Sequence, residues 1–315
     1  MPEMKSKAEF GSDVIIEMFN LLGIDKVAYN PGSSFRGIHD SFVNFPGAPE
    51  MVLCCHEEIA VAVAHGYWRA SGKPMGAAIH SMVGLQHASM AIYNAWCERA
   101  PVIVIGGTGP VSATNRRNWI DWVHTALVQG NLVRDYTKWD DQPGTVADFP
   151  ESLMRAYRIA VTEPAGPVYV CYDVDLQEQP LSEPLTLPDV SRYAVPRPVQ
   201  ADPDALEQAA RWLSAAQWPV ILADATCRHS EALPHLEALA ELLSAPVLSS
   251  GGYNIATNHP LNLSPQRVEM LHDAEAAARM IGPAVENAQE PHRAGHRDRR
   301  RRHGSTRAAP EASPA

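Results

Sequence analysis

The sequence predicts an α/β protein: a doubly wound parallel sheet followed by an incomplete second α/β domain. Three observations predict this fold. Short apolar stretches alternate with longer segments whose apolar residues recur at helical spacing. Residues 101–107 form a continuous apolar stretch rich in valine and isoleucine, as expected for a parallel strand buried on both faces. The alternation of strands and helices continues along most of the chain, which favours a parallel sheet.

Composition limits the classes of function. A chain of 315 residues is long enough for roughly two domains. The formal net charge of -10 argues against nucleic acid as a partner of the body of the protein. Five cysteines without a C-x-x-C pair predict neither a disulfide framework nor a zinc site, and no set of residues predicts another metal site. The N-terminus has no apolar signal segment and no stretch is long enough to span a membrane, so we expect a cytoplasmic protein.

The first half of the first domain begins with a helix over residues 14–22, which ends at Gly23. A short strand over 26–30 leads into a tight turn at 30–34, where open α/β sheets place their ligands. The apolar stretch 51–55 is a strand, and a helix follows it behind Glu57 and Glu58. Acidic residues in a first helical turn also suit the helix dipole on any ordinary helix, so the pair alone does not define a site.

The second half repeats the alternation. We predict a strand over 75–80, a helix over 85–98, the buried strand 101–107, a helix over 147–160 and a last strand over 166–174. Between them, residues 115–142 carry three tryptophans, Trp119, Trp122 and Trp139, together with Arg116, Arg117 and Lys138. This segment is either a rim helix with an edge strand or part of a substrate lining.

Domain boundaries follow from shifts in composition. Residues 1–178 form the first domain, and six prolines make 179–203 a semi-rigid linker. Residues 204–275 read as helix, strand, helix and strand of a partial second domain. The tail, 276–315, is basic and lacks apolar periodicity, so we expect it to be disordered. We interpret it as a truncated or frameshifted end rather than as a nucleic-acid arm.

One motif carries a family resemblance. His56-Glu57, a run of small residues and Gly-Tyr-Trp-Arg-Ala-Ser-Gly at 66–72 resemble the pyrimidine-binding domain of thiamine diphosphate enzymes related to acetolactate synthase and benzoylformate decarboxylase. The resemblance implies that Glu57, rather than Glu58, hydrogen-bonds the aminopyrimidine ring of the cofactor. Proton delivery to that ring favours the tautomer that deprotonates the thiazolium carbon.

Two further loops are similar to benzoylformate decarboxylase. Asn-Pro-Gly-Ser at 30–33 resembles the loop whose serine contacts substrate, which makes Ser33 a candidate catalytic residue. His80-Ser81 and Gly84 resemble the stretch whose histidine shuttles protons, although a lone histidine at a strand end is often structural. His87 stands where acetolactate synthases have an asparagine. The cofactor-binding residues implied by the resemblance are Glu57, Pro31, Gly32, Ser81, Gly84 and His87.

The resemblance implies an enzyme that binds thiamine diphosphate and acts on a 2-oxo acid by decarboxylation or carboligation. Family members hold Mg²⁺ and the diphosphate in a third domain, and no segment of this sequence matches that domain, so this chain is expected to bind only the pyrimidine end. The implied partners are a second copy of the chain in a dimer or tetramer, or a separate chain that carries the diphosphate domain. The alternative is a catalytically inactive fragment that serves as a dimerisation or interaction module.

Overall fold

The computed structural model describes residues 4–197, 200–224, 226–249 and 254–263. These residues form two compact units, divided at about residue 198. The predicted basic tail at 276–315 and the last part of the predicted second domain lie outside the described residues. The domain boundaries drawn from composition therefore stay predictions.

The first unit is built on a six-stranded parallel sheet, as the sequence predicts. The strands lie in the order β3-β2-β4-β5-β7-β6. A separate antiparallel pair joins the short strands β1 and β8. The strands of this unit are β1 (Met4–Lys5), β2 (Lys26–Tyr29), β3 (Glu50–Leu53), β4 (Met75–Ile79), β5 (Val102–Thr108), β6 (Asp140–Asp141), β7 (Val168–Asp173) and β8 (Thr186–Leu187).

Helices cover both faces of this sheet. Helices α1, α2 and α6 pack on the face that carries Ile103 and Ile105 of β5. Helices α3 and α4 pack on the opposite face, against Val102 and Val104 of the same strand. This alternation follows from the period-2 geometry of a strand buried on both sides. The helices of this unit are α1 (Gly11–Leu21), α2 (Arg36–Asn44), α3 (Glu57–Ser71), α4 (Ser81–Cys97), α5 (Ile120–His124), α6 (Phe149–Val161) and α7 (Val174–Gln177).

The strand order creates a switch point beside β2. From β2 the chain passes through α2 to β3 on one side, and it later returns past β2 to β4 on the other side. The connection after β2 therefore runs to one face of the sheet, while the connection after β4 runs to the opposite face. In open α/β sheets this divergence leaves a crevice at the carboxyl ends of the strands, where ligands bind.

Helix α4 begins earlier than the sequence suggested. We predicted a loop up to Gly84 and a helix from residue 85, but α4 already begins at Ser81. Neither Met82 nor Val83 interrupts a helix. The first turn of α4 therefore directly follows His80, its N-cap residue.

Two other segments were predicted less specifically. Residues 115–142 contain the short helix α5 and the edge strand β6, as in the plainer of the two alternatives. The predicted linker at 179–203 begins inside the first unit, because Leu187 of β8 is buried and pairs with Met4 of β1.

The second unit continues the predicted alternation of helix and strand. Strands β9 (Ile221–Ala223) and β10 (Val247–Ser249) are parallel neighbours, and a small core forms around them. Its helices are α8 (Pro203–Ala215) and α9 (Leu233–Leu243). Among the described residues of both units, no helix combines the length and apolar character needed to cross a bilayer.

Candidate functional site

Three strand ends meet at Ser34, on the loop after β2. The Ser34 Oγ lies 2.9 Å from Nδ1 of His80, at the end of β4, and accepts the backbone N–H of Ser81 at 3.2 Å. A methyl group built on Gly107, near the end of β5, would lie 2.6 Å from the same Oγ. The Ser34 carbonyl accepts a hydrogen bond from Gln177 Nε2 at 2.9 Å. Ser34 is therefore a buried junction between β2, β4 and β5.

The tautomer of His80 determines which atom donates in its hydrogen bond with Ser34. We take the Ser34 hydroxyl as the donor, because it has no other acceptor among the described residues. Nδ1 then carries the lone pair of a neutral imidazole, and the proton is on Nε2. This assignment is inferred from the hydrogen-bond network. The Nε2–H group is the polar group that His80 can offer to a ligand.

Gly32 allows the loop after β2 to approach this ring closely. A methyl group at position 32 would lie 2.2 Å from Cγ of His80, which is far inside contact distance. The φ angle of Gly32 is -172°, ordinary extended backbone, so the position needs glycine for space and not for conformation.

The surroundings of His80 keep it uncharged. Burial, together with the charge of His124, lowers the pKa of His80 from 6.5 to about 4, and the negative charge of Glu57 acts in the opposite direction. The two imidazole rings lie 4.9 Å apart between centroids. His124 Nδ1 donates to the carbonyl of Ile120 at 2.7 Å, which fixes that ring at the end of α5.

We expect this shift to make stability depend on pH. In the unfolded chain His80 takes up a proton near pH 6.5, whereas in the folded chain it does so only near pH 4. Stability should therefore fall as the pH falls from about 6.5 towards 4, because the unfolded state binds more protons in that window. His80→Asn, whose side-chain oxygen can still accept from Ser34, should flatten this part of the profile. Melting temperatures from pH 7.5 to 4.5 would measure the slope. Equal slopes for the two proteins would contradict the depressed pKa.

Glu57 is the buried acid of the site. It is the first residue of α3 and is only 7% exposed. A methyl group built on Gly84 of α4 would lie 2.7 Å from Glu57 Oε1, so the carboxyl group packs directly against the backbone of α4. No hydrogen bond to this carboxyl group is found within the part of the chain that the structure describes. A buried carboxyl group is costly unless polar partners or a ligand replace its lost hydration.

Two histidines stand beside Glu57. The Nδ1 atom of His87, on α4, lies 3.4 Å from Glu57 Oε2. The ring of His87 stacks on that of His56 with 4.9 Å between centroids and an interplanar angle of 11°. His56 is the N-cap of α3, and its Nδ1 accepts the backbone N–H of Glu58 at 3.2 Å. Glu58 itself is exposed and points away from this group's buried side.

The remaining predicted residues surround this centre with different degrees of contact. Ser33 is half-buried, and its carbonyl accepts from Arg117 Nη2 at 3.3 Å; it is Ser34, not Ser33, that bonds His80. Ser81 is fully buried, has a φ of 32°, and its hydroxyl has no partner among the described residues. Pro31 is exposed.

The sequence did not single out four residues that the structure places here. Ser34 was hidden by its neighbour, since both serines follow the same turn. His124 and Arg117 come from the segment at 115–142, where no local pattern indicated which side chains turn inward. His56 was noted only as part of a motif, although its position next to Glu57 in the sequence could have indicated that it lies in the site.

This arrangement defines a class of protein. It is an α/β domain with a buried carboxyl group, paired with His87, at the switch point of its parallel sheet, where open α/β sheets bind ligands. Residues 10–129 match the family model described as "Thiamine pyrophosphate enzyme, N-terminal TPP binding domain". This match confirms the resemblance to thiamine diphosphate enzymes that the motif around Glu57 predicted.

Individual relatives agree with this assignment. The chain is 26% identical over 260 residues to the acetolactate synthase large subunit of Lactococcus lactis, which covers 82% of this chain and 44% of that protein. It is 28% identical over 185 residues to benzoylformate decarboxylase of Pseudomonas aeruginosa, with 58% of this chain and 34% of that protein covered. The crystal structure of benzoylformate decarboxylase from Polynucleobacter necessarius matches with a TM-score of 0.66 at 26% identity, over 81% of this chain and 46% of that chain. The chain thus spans less than half the length of these relatives.

Proposed function

We propose that this chain binds the pyrimidine end of thiamine diphosphate and serves an enzyme that decarboxylates or ligates a 2-oxo acid. The observation that carries the proposal is the carboxyl group of Glu57, which is buried against the backbone of α4 at the switch point of the sheet, with Nδ1 of His87 3.4 Å from its Oε2. An aminopyrimidine ring offers the flat surface and the ring nitrogen that such a carboxyl group can bond. The residues therefore fit the cofactor that the family implies.

The chain's own residues have distinct tasks in this proposal. When bound, thiamine diphosphate supplies a thiazolium carbon that adds to the carbonyl group of a 2-oxo acid. Glu57 hydrogen-bonds the pyrimidine ring nitrogen in a site of low dielectric, where that bond is strengthened. Gly84 lets α4 close over the carboxyl group. His80 stays neutral and offers its Nε2–H to the substrate, while Ser34 holds the ring in that orientation.

The proposed partners follow from exposed apolar residues and from the family. Four large apolar side chains on α3 and α4 are at least 39% exposed, and such a patch favours association with a second copy or with a chain that supplies the diphosphate domain. They are Ile59, Met90, Tyr93 and Trp96. Mg²⁺ belongs to the diphosphate half in this proposal. The free cysteines Cys54, Cys55, Cys97 and Cys171 support the cytoplasm as its location.

The competing proposal is a catalytically inactive dimerisation or interaction module. The same exposed apolar residues favour it, and it requires no ligand at Glu57. The two proposals differ in what the site binds, so a binding experiment separates them.

We expect this chain alone to bind thiamine and thiamine diphosphate about equally, at millimolar strength, which is on the order of 4 kcal/mol. The reason is that the described residues contain no group of oxygen ligands for a Mg²⁺-diphosphate; the group of potential ligands found there is His56, Glu57 and His87. Calorimetric titrations with both compounds, with and without Mg²⁺, would measure this.

The outcomes of these titrations are distinct. Micromolar, Mg²⁺-dependent binding of thiamine diphosphate would contradict the restriction to the pyrimidine end. Absence of binding by either compound, in a chain that still associates with itself, would favour the interaction module.

A further inference from the structure

A cluster of three metal-binding side chains lies at the mouth of the site. One ligand atom each from His56, Glu57 and His87 lies within 4.8 Å of the others. These residues come from two helices, α3 and α4, whose packing brings the carboxyl group and both rings together. Two imidazoles and one carboxylate are ligands that Zn²⁺ accepts in open sites. We propose that this cluster binds a zinc-type transition-metal ion in place of the pyrimidine ring.

The distance between Glu57 and His87 suits such an ion. Their Oε2 and Nδ1 atoms are 3.4 Å apart. Two ligands at 2.0–2.2 Å from a tetrahedral ion stand about 3.4 Å from each other. The Glu57 carboxyl group is buried and in contact with the backbone of α4, so the first of these two ligands is already held in position.

His56 and His87 must tilt to complete the set. Their rings are nearly parallel, whereas an ion has to lie close to the plane of each ring that binds it. The side chain of His87 is 60% exposed and can turn about its side-chain bonds at little cost. His56 gives up one hydrogen bond, the long 3.2 Å contact from the Glu58 N–H to its Nδ1. These rearrangements involve side chains alone.

The ligand set selects the kind of ion. Nitrogen ligands suit Zn²⁺, Ni²⁺ and Cu²⁺, while Mg²⁺ and Ca²⁺ require oxygen ligands in larger number. The site therefore differs in metal preference from any site that holds a diphosphate through Mg²⁺. It also depends on His87, the exposed histidine of α4.

Competition between a metal ion and thiamine is expected at Glu57, and this expectation rests on the proposed function. A metal ion on Glu57 would draw on the same carboxylate charge that the pyrimidine ring nitrogen uses, and both ligands would lie against one carboxyl group. Zinc-type ions and thiamine should therefore compete for the chain, each weakening the apparent affinity of the other. The metal site itself does not depend on the proposed function, because it requires only the three side chains.

Zinc binding by the full chain tests the inference. Titration with ZnCl₂ should show one zinc ion bound per chain with a micromolar dissociation constant. Titration with MgCl₂ should show no binding of this strength. His87→Asn and His56→Asn should each weaken zinc binding at least tenfold. His235→Asn is the matched control, since His235 is an exposed histidine in the second unit and should leave the titration unchanged.

Melting temperatures and competition with thiamine distinguish a failure of the metal site from a failure of the pyrimidine site. ZnCl₂ should raise the melting temperature of the wild-type chain more than that of His87→Asn. If neither His56→Asn nor His87→Asn changes zinc binding, the inference is wrong, whatever other histidines contribute. If zinc binds through these residues but thiamine does not compete, the metal site stands and the proposed pyrimidine site fails.

Discussion

Glu57→Gln is expected to slow deprotonation of the thiazolium carbon by on the order of 10²–10⁴-fold in an enzyme reconstituted from this chain and a diphosphate-binding partner. An amide at position 57 keeps the size of the side chain and its contact with Gly84. It cannot deliver the proton that the pyrimidine ring nitrogen needs. Exchange of the thiazolium proton for deuterium, followed by NMR, measures the step directly.

Glu58→Gln is the matched control for this prediction. Glu58 lies in the same first turn of α3 and carries the same charge, but its side chain is exposed. Any effect of helix-dipole or surface charge should appear equally in both variants. We expect exchange in Glu58→Gln to stay within about twofold of wild type, since exposed charges are screened. An unchanged rate in Glu57→Gln would remove that residue from its proposed role.

Gly84→Ala is expected to destabilise the fold by about 1–3 kcal/mol, the usual cost of forcing an extra methyl group into a packed site. The new Cβ would lie 2.7 Å from Glu57 Oε1 and 2.9 Å from its Cγ. The end of a side chain often moves aside at little cost, but this one is 93% buried between α3 and α4. The same change should displace the carboxyl group and weaken thiamine binding. Urea denaturation gives the free energy of unfolding.

Gly66→Ala, in the neighbouring helix α3, is expected to stabilise the fold, in contrast to Gly84→Ala. Gly66 also lies inside a helix, α3, but a methyl group there meets no atom within 4 Å. Alanine has the higher helix propensity, so this change should stabilise the chain by about 0.5–1 kcal/mol. The two substitutions add the same atoms and should differ in sign. A similar loss of stability in both would mean that contact with Glu57 is not the cause.

The sequence was sufficient to predict the parallel sheet and the buried acid, Glu57. A continuous apolar stretch indicates a buried strand such as Val102–Thr108. Glu57 is recognisable because it follows a predicted strand and is the first residue of a helix with an apolar face. Both signals are local, and the family resemblance reinforces them. Positions at strand ends follow from topology, so the meeting of the loops after β2 and β4 was also predictable.

Contacts between side chains from distant segments were not predictable in the same way. Ser34 and Ser33 are equivalent in sequence, and the choice between them depends on how the turn of 3₁₀ helix at Ser33–Phe35 orients each side chain. His124, at the end of α5, lies 44 positions after His80 in the sequence, yet their rings are 4.9 Å apart between centroids. The start of α4 was misplaced by four residues because Ser81 and Gly84 are typical of a loop, whereas the structure continues the helix through both of them.

The pairing of β1 with β8 has a consequence for how this unit is carried in a longer polypeptide. Met4 lies opposite Leu187, so the chain enters and leaves the first unit at one place on its surface. Neighbouring contacts reinforce this closure, including the hydrogen bond from Gly11 to Gln179 and the bidentate pair of Arg36 with Glu178. A unit with adjacent ends can be transplanted, inserted or circularly permuted as one module. The unit that carries Glu57 could thus pass between polypeptides without rearrangement of its own sheet.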